Sequence, residues 1–439
     1  MIVDRRSLIA ASAALPFLGG AAAATAQGAG HSLAALADPA RPGAVMGLGV
    51  IARASDGRVV MEAAHGSGRL QLDGEIRVRP FALDTPMRIA SITKLAAMTA
   101  LMTLVEQGRL SLEDDAGELA GFPLRHPGRP DLRITAAMLA SHTSGLRNGP
   151  GYPVPLGRSL GDVFQAGGVG YDGGGWFSPI DEPPGFFAYA DVNFAVLAQI
   201  AERISGERFD RFVHGTVLGP LGLDAGLNWS GVSHAARHRA SAACRLIDGD
   251  WTPQVDATVP PSPQIRVTTA AEAPDLIADD YRTGQNGFVF SPQGGLRASV
   301  IDLDRMARSF AGHSGVPQVI SPTTLDRMCT PVWTFDPAHP NGQLDRGLMQ
   351  SWGLSVHIPT GRDGDAFFGP GSSDWRGHFG IAYGLQSGLF WNQRDGRTLA
   401  YMISGTPRDA ESLSGTRSAA SPWEEAILNA ALAAWAGQH

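Results

Sequence analysis

Lysine is almost missing from this chain: of its 35 basic residues, 34 are arginine and only Lys94 is lysine. Arginine carries charge but stays protonated to a pKa above about 12, so chemistry that needs a titratable amine falls on Lys94. Cysteine is nearly as scarce. Cys244 and Cys329 alone exclude a disulfide framework, and two separate buried thiols are expected. The basic residues are scattered over a chain of net charge −7, which excludes a nucleic-acid footprint. No Gly-x-Ser-x-Gly elbow occurs, which disfavours an α/β-hydrolase. His234 and His238 have the spacing of metal ligands on a helix, but no third ligand or Glu-bearing zinc motif accompanies them, so a surface position is expected and no metal. Gly168-Val169-Gly170-Tyr171-Asp172-Gly173 spells a dinucleotide fingerprint, yet no strand precedes it and no helix follows, so it reads as a Gly-rich loop. Tyr171 and Trp176 are expected to line a cleft beside it.

What is present is the composition of a globular enzyme: 439 residues, 44% of them hydrophobic. That length allows two or three domains, or one large domain with an insertion. Arg5-Arg6 leads into the Ala-rich stretch Ile9 to Ala24, followed by the small-x-small site Ala24-Thr25-Ala26. Residues 1–26 therefore read as an export signal, general or twin-arginine-like, pointing to the periplasm. The apolar stretch is too short and too rich in Ala and Gly for a stable membrane anchor.

Along the remaining chain, residues 45–65 alternate about Ser55-Asp56-Gly57 as an antiparallel hairpin. Residues 91–107 spell a helix that is apolar on every side, stopped by Gly108. Helices are also expected over 134–140 and 191–206, and a final one from Trp423 to Trp435. Strand character returns over 376–404, about the turn Arg394-Asp395-Gly396. Residues 147–185 read as a long loop and 250–292 lack periodicity; both are expected to shape the pocket. The order predicts an α+β fold: an antiparallel sheet flanked by helices, built by the two ends of the chain (about 27–90 and 290–439), with a mostly helical region (about 91–289) inserted.

Ser91 and Lys94 lie one turn apart, so their side chains share a helix face. A serine at a helix N-terminus feels the positive end of the dipole, which favours an alkoxide. A lysine held beside it can take part in moving the hydroxyl proton. The pair sits in Asp84-Thr85-Pro86-Met87-Arg88-Ile89-Ala90-Ser91-Ile92-Thr93-Lys94. After it come Ser141-His142-Thr143-Ser144-Gly145-Leu146, Pro184 to Asp191, Gly294 to Ser299 and Gly377-His378-Phe379-Gly380.

With these five segments in this order, nearly the whole chain after residue 26 resembles the penicillin-recognising serine hydrolases, specifically the class C β-lactamase and D-alanyl-D-alanine carboxypeptidase-like family. The resemblance implies Ser91 as acylated nucleophile, Lys94 as its partner in proton transfer, and Tyr189 as a general base when a cation lowers its pKa. It implies His378 in the (Lys/His)-x-Gly strand motif, Gly380 as a place where substrate lies flat, and the N–H groups of Ser91 and Ile381 as the oxyanion hole. His142 matches the family's turn histidine and reads as structural. Arg376 shares a strand face with His378 and could meet a substrate carboxylate or a surface acid. No cofactor is implied; the expected partner is a small molecule or short peptide, and the oligomeric state is left open.

Two residues depart from the family. Asp191 stands where many members have Asn, so it can only accept hydrogen bonds; it should keep Lys94 charged and favour substrates carrying an amine. His378 stands where class C β-lactamases have Lys. Both point to an esterase, a D-amino-acid peptidase or an amide-oligomer hydrolase. The alternatives are a class C-like β-lactamase or penicillin-binding carboxypeptidase, and a non-catalytic penicillin-binding or regulatory protein of the same fold.

Overall fold

The computed structural model describes residues 33–72, 75–155, 157–254, 281–370 and 372–437. The export signal read over residues 1–26, and 255–280 of the segment without periodicity, lie outside the described residues. Strands β1 (Gly47–Arg53), β2 (Val59–Leu72), β3 (Glu75–Pro80), β4 (Trp375–Ala382), β5 (Leu385–Asn392) and β6 (Thr398–Ile403) form one six-stranded sheet. Its order is β4-β5-β6-β1-β2-β3, and every neighbouring pair is antiparallel. The two ends of the chain meet where β1 pairs with β6, Val50 opposite Tyr401.

Side chains alternate across the sheet, as a two-residue period requires. Leu48, Val50, Leu399, Tyr401 and Ile403 face one apolar cluster, which also holds Trp423, Ile427 and Leu428. Ile51, Leu389, Trp391, Ala400 and Met402 face the other, with Val300, Leu303 and Met306. A helix therefore covers each face. The last helix, Pro422–Ala436, opens with a capping box between Ser421 and Glu424 and with Pro422 in its first turn. Helix Val300–Phe310 opens with a box between Ser299 and Asp302. Neither it nor helix Pro322–Cys329 was anticipated.

Helix α1 (Thr93–Glu106) is buried from Thr93 to Leu104, as its uniform apolarity predicts. Each fully buried Leu or Met in it contributes about 1.5–3 kcal/mol, and Leu101→Ala would cost about 2–5 kcal/mol. The other two expected helices form as Ala136–Ala140 and α2 (Val192–Ser205). The Gly-rich stretch at 168–173 is loop leading into a single 3-10 turn, Asp172–Gly174. No helix among the described residues is long and apolar enough to cross a membrane.

Candidate active site

Ser91 does not sit inside the α-helix. It occupies a 3-10 turn, Ala90–Ile92, that feeds into α1. Ala90 holds a left-handed conformation with φ of 49°, which costs an L-residue about 1–2 kcal/mol. The turn is pinned from several sides. Ser387 Oγ donates to Ile89 O at 2.8 Å, Ile89 N donates to Leu296 O at 3.0 Å, and Thr93 Oγ1 donates to Ala90 O at 2.7 Å. These contacts present Ser91 at the cavity mouth while Lys94 goes inward.

Lys94 is fully buried. Its ammonium donates to Ser91 Oγ at 3.1 Å, Asp191 Oδ1 at 2.8 Å and Gln293 O at 2.7 Å, so all three hydrogens are engaged. Burial pulls its pKa down, but the Asp191 carboxylate and then Tyr189 outweigh it, and the net shift is upward. Lys94 therefore rests as a cation, as the carboxylate at 191 led us to expect. Asp191 precedes α2 at a position where an acid usually caps the helix. Here its side chain makes no cap. Its second oxygen accepts from Tyr152 at 3.0 Å, and Tyr152 in turn accepts from Gln293 Nε2 at 3.2 Å. Asn148 takes over the capping, accepting from Val192 N at 3.1 Å.

The Tyr189 ring lies 4.8 Å from Lys94 Nζ, and its buried hydroxyl makes no hydrogen bond among the described residues. Burial and Asp191 raise its pKa more than Lys94 lowers it. The expected condition for a tyrosinate base is therefore not met at rest: Tyr189 is a phenol. His142 stacks on it at 4.2 Å and accepts from Ala190 N at 3.2 Å. Its burial keeps it neutral, and its structural reading stands.

His378 is also buried, with Nδ1 on Phe379 O at 2.5 Å and Nε2 unpartnered among the described residues. Burial and Lys94 push its pKa down to about 3. With Ser91, Tyr189, His357, Phe379 and Ile381 it lines a cavity of about 510 Å³. The remaining walls come from the 343–352 segment, chiefly Leu348, Met349 and Trp352, together with Glu411. Sequence reasoning did not single out these residues, because an irregular segment carries no motif.

Three expectations need correction. None of the described residues of 147–185 and 250–292 lines this cavity; Tyr152 reaches only the far side of Asp191. Trp176 is packed in the core against Phe164, and Tyr171 packs against the same core. Arg376 does not face the cavity, because its guanidinium is held by three backbone carbonyls, those of Cys329, Ser373 and Trp375. Gly380 has a packing role as well: a Cβ there would lie 2.4 Å from Ile89 O and 2.3 Å from Ser387 Oγ. The two cysteines are free and buried, as expected. His234 and His238 touch on an exposed helix face, Nε2 atoms 3.0 Å apart, with no cluster of three metal-binding side chains among the described residues.

A Ser-x-x-Lys pair at the start of a buried helix, set against the edge strand of an antiparallel sheet, defines the penicillin-recognising fold class. The profile of the Beta-lactamase family matches residues 31–421, and the chain belongs to that family. Among curated relatives, the D-alanyl-D-alanine-carboxypeptidase/endopeptidase AmpH of Escherichia coli K12 is 30% identical over 152 residues, 33% of this chain and 37% of AmpH. The chain spans less than half the length of the curated relatives it matches. Among solved structures, EstCE1, a hydrolase with promiscuous acyltransferase activity, superposes with a TM-score of 0.62 at 18% identity, covering 94% of this chain and 99% of EstCE1. The D-amino acid amidase of Ochrobactrum anthropi SV3 gives 0.59 at 15%, covering 92% and 98%. At such identities the likeness is one of fold.

Proposed function

We propose that the chain is a serine hydrolase that cleaves an ester or amide through an acyl-Ser91 intermediate. The observation that carries this reading is the single lysine of the chain, buried with one N–H on Ser91 Oγ. Ser91 Oγ attacks the carbonyl carbon and forms the acyl bond while the bond to the leaving group breaks. Lys94, charged at rest with its hydrogens engaged, stabilises the developing alkoxide without accepting a proton. Tyr189 then serves as shuttle: its phenol oxygen takes the Ser91 proton as its own proton passes to the leaving group, so it starts and ends neutral. Water reverses these transfers and frees the acid. The N–H groups of Ser91 and Ile381 hold the oxyanion, where losing one donor costs roughly 3 kcal/mol.

The hydrolase with acyltransferase activity, the amidase and the carboxypeptidase named among the relatives and fold neighbours support an ester or amide substrate. A β-lactam is disfavoured, because a neutral His378 cannot replace a lysine opposite its carboxylate. Nitrocefin turnover at the rate of dedicated β-lactamases would contradict this. We also propose that the sheet and helical parts form one catalytic unit and that the chain is exported to the periplasm; N-terminal sequencing of the fractionated protein should find cleavage after Ala26.

The test of the main reading is intact mass after exposure to a fluorophosphonate probe. One adduct is expected on the wild type and none on Ser91→Ala. No adduct on either would remove the nucleophile and favour a non-catalytic binding role.

A further inference from the structure

We propose that the cavity in front of Ser91 takes an acyl group with an apolar body and an ammonium terminus, and rejects one that ends in a carboxylate. The proposal rests on reading Ser91 as the nucleophile. Leu348, Met349, Trp352, Phe379 and Ile381 form an apolar wall. The charged residues on the lining are Asp345 and Glu411, and among the described residues no Lys or Arg lines it. A carboxylate entering here would lose water and find no cation on the lining, since Lys94 is buried behind Ser91 with its three hydrogens engaged, whereas an ammonium would meet two acids.

The buried end of the cavity points the same way, independently of those acids. A backbone carbonyl can only accept, so the contact with Phe379 O places the His378 hydrogen on Nδ1. The unpartnered Nε2 is then a lone pair, able to receive an N–H or O–H and repelled by an anion.

Cations lie nearby but off the cavity lining. Arg346 donates to Leu413 O at 2.8 Å and lies 3.4 Å from Asp345, which it partly offsets. Arg245 and Arg408 line an adjoining groove of about 140 Å³, which shares Ile381 and Glu411 with the cavity. At the mouth, burial together with the Asp409 and Asp345 carboxylates holds Glu411 above the usual carboxylate range, against the opposing pull of Arg245 and Arg346. Acids and arginines are equal in number around the mouth, but only the acids Asp345 and Glu411 lie on the cavity lining.

The test uses three p-nitrophenyl esters with one leaving group and acyl chains of similar length: 6-aminohexanoate, heptanoate and the monoester of adipate. An exposed ion pair contributes about 0.2–1 kcal/mol, so two acids correspond to roughly tenfold in kcat/KM for the amine over the neutral ester. The adipate ester should fall at least as far below the neutral one. The double variant Asp345→Asn, Glu411→Gln should bring the amine-to-neutral ratio close to one, and 0.5 M salt should reduce it. An adipate ester cleaved as fast as the amine, or a ratio untouched by the double variant, would overturn the proposal.

If no ester is turned over, the hydrolase reading has failed, and charge selection is read separately. Calorimetry of heptylammonium and heptanoate on Ser91→Ala should show the ammonium binding about tenfold tighter. Equal binding, or tighter binding of heptanoate, would refute the selection.

Discussion

Replacing Asp191 with Asn tests the electrostatic core of the site. The carboxylate is 2.8 Å from a lysine with no exposed side-chain surface, while its own side chain is 26% exposed. Breaking a fully buried pair costs about 3–5 kcal/mol, because the remaining charge is left without compensation. With one partner reached by solvent, and the Ser91 and Gln293 contacts retained, about 2–3 kcal/mol is expected at pH 7. The pH dependence is more diagnostic than the size. In the wild type the Lys94 pKa is raised, so its stabilisation is fully present below its unfolded value near 10.5 and is lost only above that. Without Asp191, burial is the dominant remaining influence and the folded pKa falls below the unfolded one. The unfolded chain then binds the extra proton, and stability should rise with pH between 7 and 10, by up to about 1.4 kcal/mol per pH unit. Urea unfolding at pH 7, 8 and 9 measures this, with no such rise in the wild type. The pH–rate profile of the variant should gain a rising limb in the same range, because a neutral Lys94 can itself accept the Ser91 proton. A variant as stable as the wild type, with the same pH profile, would refute the charged-lysine account.

Gly380→Ala should displace the Ile89–Ala90 backbone, since the new Cβ would meet Ile89 O at 2.4 Å. Fluorophosphonate labelling of Ser91 should slow by about 100-fold, the scale expected for small misplacements of reacting groups; unchanged labelling would show that the turn tolerates the strain. Arg376→Ala should leave kcat/KM within about twofold, because its guanidinium is spent on backbone carbonyls, while lowering stability by about 1 kcal/mol. Glu424, beneath the sheet with Tyr401 donating to it at 2.9 Å, is raised by burial from its ordinary 4.5 to about 7. The unfolded chain loses that proton first, so this carboxyl takes stability away as pH rises from 4.5 past 7, by about 3 kcal/mol over the shift at 1.36 kcal/mol per pH unit, against the gain that the buried neutral His142 and His378 give below 6.5. In thermal melts at pH 5 and 8, Glu424→Gln should remove that loss, so the variant gains stability relative to the wild type on going to pH 8; an equal pH change in both would assign the loss to another group.

The sheet and the helices around the motifs were legible because their signals are local. The hairpin about Asp56-Gly57, the paired strands after 375 and the evenly apolar α1 each show their own period. Helix Val300–Phe310 is less legible, although Ser299 and Asp302 spell its capping box, because Asp302, Asp304, Arg305 and Arg308 break up its short apolar face. Among the site residues, the sequence by itself determined that Ser91 and Lys94 meet, since a separation of three residues on a helical turn leaves them little choice. That Asp191 holds the lysine charged was implied by the resemblance, and the contact itself, across 97 residues, is made by the fold. Tertiary structure alone decided the protonation of Tyr189 and His378, because the sign of a pKa shift depends on how burial weighs against neighbouring charges. It also decided that Arg376 turns away from the cavity and that Gly380 makes room for Ile89. The walls at 343–352 and Glu411 reach Ser91 only through chain folding over more than 250 residues, and no local pattern encodes an approach across that distance.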